Sequence, residues 1–434
     1  MGLNSDIGLP DGTLVSAKRG SIERTGMHRW HPYYAGYSEA FVDRALNFLG
    51  CDGQTRLLDP WGGSGTTAIV AARSGISSVS GDVNPVMSVF TSAKDASLIA
   101  REPALLGYLK STPRRSAVAP NEPLKTIFDD NAASIIRAAV SGIPFERYTV
   151  TCRKDLQASK LDVHNLQIIN SSYAFCLSAI FITARRLADL TKRTNPTWLS
   201  AVGERVSFER AVWNREIFST AVGMLADLNK FYANLLPSGR LESLVSDARS
   251  NPFSDESIDA IITSPPYLTR IDYAMATAPE MQILGTVGLS SAVRSATMGA
   301  PVINPIVPSV SELWGETCLS ILDKVYNHPT KAAKSYYWKT MMQYFDDMSA
   351  SLANIQRVLK PGGRGVIVVQ SSYFKDVLIP LGDIYVEAAR KHGMYAKIVS
   401  REEVRSHMTH VNTRSRKYLK DRVYHEDVVQ FRKL

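Results

Sequence analysis

The sequence predicts a doubly wound α/β sheet interrupted by a mostly helical insertion. Three observations carry that expectation. Arg56 to Ala72 reads as a strand, a glycine-rich turn and a helix, the opening unit of a nucleotide-binding sheet. Ile258-Asp259-Ala260-Ile261-Ile262 is a short β-branched run, the pattern of a buried strand, and it stops at Thr263-Ser264-Pro265-Pro266-Tyr267. Between them, residues 101–240 lose strand signals and gain helical periodicity.

The chain has 434 residues, more than one ordinary domain needs, which suits a core plus an insertion. We therefore expect residues 1–100 to hold an N-terminal arm and the first half of the sheet, 101–240 the insertion, and 241–434 the second half. Hydrophobic content of 45% and charged content of 21% describe a globular chain. No leader-like basic-then-apolar start and no apolar run of bilayer length are present, so a cytoplasmic location without a membrane partner is expected. Cys51, Cys152, Cys176 and Cys318 are scattered without paired spacing, which points to neither a zinc site nor a disulfide framework. A net charge of +9 favours an acidic partner such as nucleic acid.

Taken in order, the chain opens on a glycine-bearing arm, then His28-Arg29-Trp30-His31-Pro32-Tyr33-Tyr34-Ala35-Gly36-Tyr37. That aromatic and basic cluster either packs beside the sheet or covers a ligand. Ser38 is placed to cap a helix whose apolar residues are Phe41, Val42, Ala45, Leu46 and Leu49. The first strand ends at Asp59. Pro60-Trp61-Gly62-Gly63-Ser64-Gly65 forms the turn, and a helix opens near Thr66-Thr67. Glycines permit positive φ and a close backbone approach to a ligand, and backbone N–H groups at the helix start favour an anionic group. A second strand, Ile76 to Ser80, leads into Gly81-Asp82-Val83-Asn84-Pro85. An acid at this strand end is positioned for ribose hydroxyls. The pairing predicts a nucleoside-cofactor half-site, with NAD and S-adenosylmethionine both open on these residues alone.

Within the insertion, Ala133–Ala139, Tyr173–Leu190 and Ile217–Tyr232 read as helices. Basic residues recur at Lys110, Arg114, Arg115, Arg153, Lys154, Arg185, Arg186, Lys192 and Arg193, as a solvated face or a DNA-facing one. Leu241–Val245 is a third strand, and Asp247 at its end could accept from an adenine amino group. Beyond the Ser264 turn, Thr269-Arg270-Ile271-Asp272-Tyr273 suits a site wall. Lys331, Lys334, Tyr336, Tyr337, Trp338 and Lys339 interleave cations with rings, a candidate DNA-contact segment within 285–340. Met341–Leu359 is an amphipathic helix, stopped by Lys360-Pro361-Gly362-Gly363-Arg364-Gly365. Val366–Gln370 is a buried strand, and a helix near 379–391 and strands near 396–399 and 423–432 complete the sheet. Residues 401–422 are basic. His407 and His410 lack further partners for a metal site, and no metal is expected.

The Ser264 turn suits one chemistry. Pro265 and Pro266 lack N–H donors and have fixed φ, so the turn is stiff and rich in acceptors. An exocyclic amine on a base is a poor nucleophile, its lone pair being delocalised into the ring. The Ser264 hydroxyl and the Pro265 carbonyl can accept from both of its N–H groups and aim the lone pair at a methyl donor. Tyr267 offers a ring for stacking on a base outside its duplex.

These residues carry a resemblance. Asp59-Pro60-Trp61-Gly62-Gly63-Ser64-Gly65-Thr66-Thr67 resembles the cofactor motif of amino-group DNA methyltransferases, and Thr263-Ser264-Pro265-Pro266-Tyr267 resembles their catalytic motif, in its serine-led form. Gly81-Asp82-Val83-Asn84-Pro85 is similar to their acidic ribose motif, and Leu359-Lys360-Pro361-Gly362-Gly363 to a later turn of the same fold. The cofactor motif precedes the catalytic one, as in the gamma-type order. The resemblance covers about residues 28–95 and 241–375. Trp61 stands where the family usually has phenylalanine, and the insertion before Asp247 leaves the base-reading region unassigned.

The resemblance implies a Rossmann-like methyltransferase sheet and S-adenosylmethionine as cofactor, held by Asp59 to Thr67, Asp82, Asn84 and Asp247. It implies methyl transfer to the N4 amine of cytosine in double-stranded DNA, in a restriction-modification or related system with a cognate endonuclease as a candidate partner. Ser264, Pro265, Pro266 and Tyr267 would form the catalytic turn. N6-adenine methylation and a non-catalytic DNA-binding subunit are the alternatives.

Overall fold

The computed structural model describes residues 17, 25–31, 36–110, 116–146, 152–154, 161–163, 168–190, 204–233, 239–268, 272–285, 288–404 and 422–434, with the side chains of 152–154 and 161–163 outside that description. Pro32 to Ala35, Thr269 to Ile271, Arg114, Arg115, Lys192, Arg193, His407 and His410 lie outside the described residues.

Seven strands form one sheet: β1 (Arg56–Asp59), β2 (Ser77–Asp82), β3 (Leu241–Val245), β4 (Ile258–Thr263), β5 (Leu359–Gln370), β6 (Met394–Glu403) and β7 (His425–Lys433). Their order across the sheet is β3-β2-β1-β4-β5-β7-β6. The first five run parallel, and β7 lies antiparallel between β5 and β6. Parallel strands are buried on both faces, and the residues show why. Leu57, Ala260, Ile262, Val366 and Val368 join one core, whereas Leu58, Ile261, Ile367 and Val369 join the other, the pleat sending alternate side chains to opposite sides. This is the doubly wound α/β architecture that the periodicity predicts.

The first core is covered by α1 (Glu39–Phe48), α2 (Thr66–Arg73), α3 (Pro85–Ser92) and helices of the insertion. Ser38 caps α1 by accepting from the Phe41 N–H, and Asn84 caps α3 by accepting from the Val86 N–H. The insertion supplies α4 (Glu102–Lys110), α5 (Asp130–Ser141), α6 (Ser171–Leu187) and α7 (Arg210–Phe231), with a short hairpin pairing Cys152–Lys154 and Leu161–Val163. Phe181 of α6 meets Phe90 of α3 at 5.7 Å, so these helices share the core of the sheet.

After β4 come three short helices, α8 (Tyr273–Ala276), α9 (Ala278–Leu284) and α10 (Leu289–Ala296). The second core is covered by α11 (Glu316–Tyr326), α12 (Trp338–Val358) and α13 (Leu381–Lys391).

Two expectations change. Lys360 to Gly365 is not a separate turn before the fifth strand: Lys360 to Gly363 form a bulge inside β5, and Arg364 and Gly365 already pair with β4. Ile258 pairs with Leu359 and Ala260 with Arg364, and Gly362 has φ +75°. Arg185 belongs to no basic surface. It is 5% exposed and forms a forked pair with Glu280 of α9, at 2.6 and 2.8 Å, and donates to the Ala276 carbonyl at 2.7 Å. A guanidinium can be buried at that depth when a carboxylate and a carbonyl satisfy it. The contact fastens the insertion to the segment that follows the Ser264 turn.

Candidate active site

Strand order fixes where a ligand cavity opens. β2 and β3 lie to one side of β1 and β4 to the other, so the turns after β1 and β4 diverge and leave a crevice at the carboxyl edge of the sheet. Two adjoining cavities fill that place. The larger encloses about 980 Å³, its open mouth included, and its wall holds Pro60, Trp61, Asp82, Asn84, Asp247, Ser264, Pro265 and Pro266. The smaller, about 310 Å³, is lined by Trp61, Gly62, Gly63, Ser64, Thr66 and Ser264 together with Gly36 and Tyr37. Trp61 and Ser264 belong to both, so Ser264 stands at the junction.

The glycine-rich turn is compact. Gly62 donates to the Gly81 carbonyl at 2.9 Å, and a Cβ there would stand 1.8 Å from Ser80 Oγ. Gly65 has φ +83° and caps α2, and its missing Cβ leaves room for Thr91. Gly63 donates to Asp82 Oδ2 at 3.0 Å, and Asn84 donates from its backbone to Asp82 Oδ1 at 2.8 Å. Desolvation pushes the Asp82 carboxyl up to about 6. Those two N–H donors pull the other way, and the nearby charge of Asp59 adds to the rise. Each Asp82 oxygen keeps a lone pair for a further donor. The cradle fits a nucleoside, with the acid for ribose hydroxyls and the turn for a close approach.

Asp59 lies beneath this surface. It is 3% exposed and lines neither cavity. Its carboxylate accepts from Thr263 at 2.6 Å, from Tyr37 at 3.0 Å and from the Trp61 N–H at 3.2 Å. Burial holds its carboxyl above the ordinary aspartate range against those donors. The Tyr37 hydroxyl also bonds Thr67 Oγ1. One buried carboxylate thus ties the turn after β1 to the end of β4. Gly65 and Thr67 likewise sit below the cavities.

At the end of β4, the Ser264 hydroxyl donates to the Val368 carbonyl of β5 at 2.9 Å. Its single hydrogen is therefore spent inward; of its two lone pairs one is met by the Tyr267 hydroxyl and the other remains as an acceptor. Tyr344 of α12 donates to the Pro266 carbonyl at 3.1 Å, pinning the turn. Tyr267 stands at this turn, its hydroxyl within hydrogen-bond reach of Ser264. It is half-buried beside Ser264, Glu426 and Tyr273, lines neither cavity, and desolvation holds its phenol well above the usual range. Tyr273 is a ring in the wall of the larger cavity, together with Trp61 and His31.

Asp247 reaches the cavity already engaged. Arg249 forks onto both its oxygens, at 2.9 and 2.6 Å, and reaches Asp347 at 2.5 Å and the Ala296 carbonyl at 3.0 Å. Sequence reasoning gave no role to Arg249, to Tyr37 as a donor to Asp59, or to Thr277, which accepts from the Asn84 side chain at 2.9 Å. Asp59 is 22 residues from Tyr37 and Thr277 is 193 from Asn84, so no local spacing could reveal either contact.

Fold and site together define a doubly wound α/β sheet with a nucleoside-sized cavity at its switch point and an acceptor-rich turn at the cavity's junction. Among curated proteins the chain is similar to the type II methyltransferase M.BsoBI of Geobacillus stearothermophilus, 24% identical over 288 residues. That match takes in 60% of this chain and 53% of the relative, so the chain spans about half the length of the curated relative it matches. No protein-family model matches. Among solved structures, the [4+2]-cyclase SpnF covers 93% of this chain and 86% of its own at a TM-score of 0.32. The rRNA methyltransferase aviRa from Streptomyces viridochromogenes covers 96% of each at 0.31. Both are 12% identical. Among the described residues, no helix is long and apolar enough to cross a membrane, and no cluster of three or more metal-ligating side chains occurs.

Proposed function

We propose that this chain is a DNA methyltransferase that transfers a methyl group from S-adenosylmethionine to the N4 amine of cytosine. The position of Ser264 carries the reading. It stands where the two cavities meet, with its hydrogen committed to Val368, and beside the one lone pair that faces the Tyr267 hydroxyl it keeps a second to accept. Similarity to a type II methyltransferase supports a DNA substrate, and the cradle of Gly62, Gly63 and Asp82 supports the cofactor. Bound there, S-adenosylmethionine would supply an electrophilic methyl group on a cationic sulfur: the N–CH3 bond would form as the S–CH3 bond breaks, S-adenosylhomocysteine leaving neutral at sulfur and the amine giving up one N–H proton to solvent.

The chain's own residues do the rest. Asp82, ionised at neutral pH, accepts from ribose hydroxyls, and the turn from Gly62 to Thr66 holds the amino-acid end. Ser264 and the Pro265 carbonyl accept from the two N–H groups of the amine, which frees its lone pair and sets its direction. Both prolines keep competing backbone N–H groups out of that space and hold the acceptors still. The base is taken out of the duplex to reach them, with Tyr267 and Tyr273 as the nearby rings. Double-stranded DNA is the partner, and a cognate restriction endonuclease belongs to the same proposal.

The test is mass spectrometry of nucleosides from duplex DNA incubated with the protein and isotopically labelled S-adenosylmethionine. Labelled N4-methylcytosine is the expected product. Labelled N6-methyladenine would correct the base while keeping the site. Bound cofactor with no label, on DNA of varied sequence, would favour a DNA-binding subunit on this fold.

A further inference from the structure

We infer that His31 is a contact residue for the S-adenosyl cofactor, an inference that rests on the function proposed above. The segment that carries it is fixed. Gly26–Arg29 forms a 3-10 turn, Met27 and Trp30 are buried, and the Trp30 indole donates to Asp227 of α7 at 2.9 Å. His31 follows directly. It is 3% exposed, lies against Phe90 with ring centroids 5.2 Å apart, and forms part of the wall of the larger cavity.

Both of its ring nitrogens are buried, and neither has a hydrogen-bond partner among the described residues. Leaving a buried donor and a buried acceptor unmade costs stability, and native proteins satisfy nearly all such groups. A wall residue of a ligand cavity that leaves two of them open is arranged for something that enters. Burial pushes the imidazole down to about 4. Glu280 raises it, while Arg185 and Lys94 lower it further, so the ring is neutral and offers one donor and one acceptor.

Position selects the ligand. Phe90, against which His31 rests, belongs to α3, the helix that begins directly after Asp82 and Asn84. On the same helix Thr91 donates to the Gly63 carbonyl at 3.3 Å, and just beyond it Lys94 donates to the Ser64 carbonyl at 2.5 Å. His31 thus rests on the helix that props the glycine-rich turn, and it shares the wall of the larger cavity with Asp82 and Asn84. A polar group of the bound cofactor, not the target base, is its partner.

The experiment titrates the full-length wild type, His31→Phe and His31→Gln with S-adenosylhomocysteine by calorimetry and records each melting temperature. Phenylalanine keeps the contact with Phe90 and removes both nitrogens. Its affinity is expected to fall about tenfold or more, while the melting temperature holds or rises by a few degrees. Glutamine, which keeps a donor and an acceptor, is expected to stay within about threefold of wild type. Wild-type affinity in His31→Phe would overturn the inference. So would equal melting losses in both variants with affinity unchanged, or a defect confined to the KM for DNA. A wild type that binds no S-adenosylhomocysteine would overturn the proposed function itself, which separates the two failures.

Discussion

The turn after β1 and the turn after β4 leave neighbouring strands at one edge of the sheet, yet they are built from opposite materials. The first is rich in donors. Gly62, Gly63 and Gly65 each donate a backbone N–H, to the Gly81 carbonyl, to Asp82 and to the Gly62 carbonyl, and positive φ at Gly63 and Gly65 turns the chain tightly enough to do so. The second is poor in donors. Pro265 and Pro266 have none, and the Ser264 hydroxyl points its hydrogen at Val368. A surface that must follow a ligand's outline needs glycine. A surface that must accept from one amine needs prolines, because a neighbouring N–H would quench the acceptors. On the proposed function the first turn binds and the second reacts, and substitutions in each should split cleanly between affinity and turnover.

Ser264→Ala is expected to have the largest effect and the cleanest split. Methyl transfer should fall by on the order of 100-fold or more, because an acceptor used in the transition state is lost, while affinity for S-adenosylhomocysteine stays within about twofold. Single-turnover transfer and calorimetry measure the two arms, and near-normal turnover would remove Ser264 from the mechanism. Gly65→Ala is the mirror image. At φ +83° an added Cβ is strained and would lie 2.6 Å from Thr91 Cγ2 and Oγ1. A cost of about 1.4 kcal/mol at the cap of α2 should weaken the cofactor roughly tenfold, with turnover at saturating cofactor within a few-fold of wild type. A variant that lost turnover but kept affinity would break the contrast between the turns.

Legibility in the sequence follows the same divide between local and distant causes. Both turns, and the strands that lead to them, are written in residues a few positions apart. Glycine before a helix, an acid at the next strand end and two prolines after a β-branched run each have local meaning. So do Ser38 and Asn84, which cap the helices that follow them. What could not be read spans the chain. Tyr37 reaches Asp59, Arg249 joins Asp247 to Asp347, and Arg185 buries itself on Glu280, 95 residues away. An arginine in a basic helical stretch looks solvated until the fold brings it a carboxylate. The bulge within β5 escaped for a related reason. A proline and glycines ordinarily end an element, and only pairing with β4 on both sides keeps Lys360 to Gly363 within the strand.

The pH dependence of binding should expose the contrast most gently, because the donor-rich side carries Asp82, a titrating wall residue matched to the ligand. The Asp82 carboxyl, raised to about 6 from an ordinary 3.8, keeps its proton in the folded protein under conditions where the unfolded chain has lost it. Its contribution to stability is therefore most favourable below about pH 4, declines as pH rises through that window, and is unfavourable and constant above about 6. Cofactor affinity runs the opposite way, since the ionised carboxylate is the better acceptor for ribose hydroxyls. Between pH 7.5 and pH 5 the affinity for S-adenosylhomocysteine should drop by about three- to tenfold, and Asp82→Asn should flatten the profile at the low-pH level. Asp59 also has a raised carboxyl but lines neither cavity, so its titration should appear in melting curves rather than in affinity. Ser264 does not titrate in this range, and turnover at saturating cofactor should not follow the inflection near 6. An inflection shared by turnover and affinity would mean that the two turns are coupled through Tyr37 and Asp59 more tightly than their separate construction suggests.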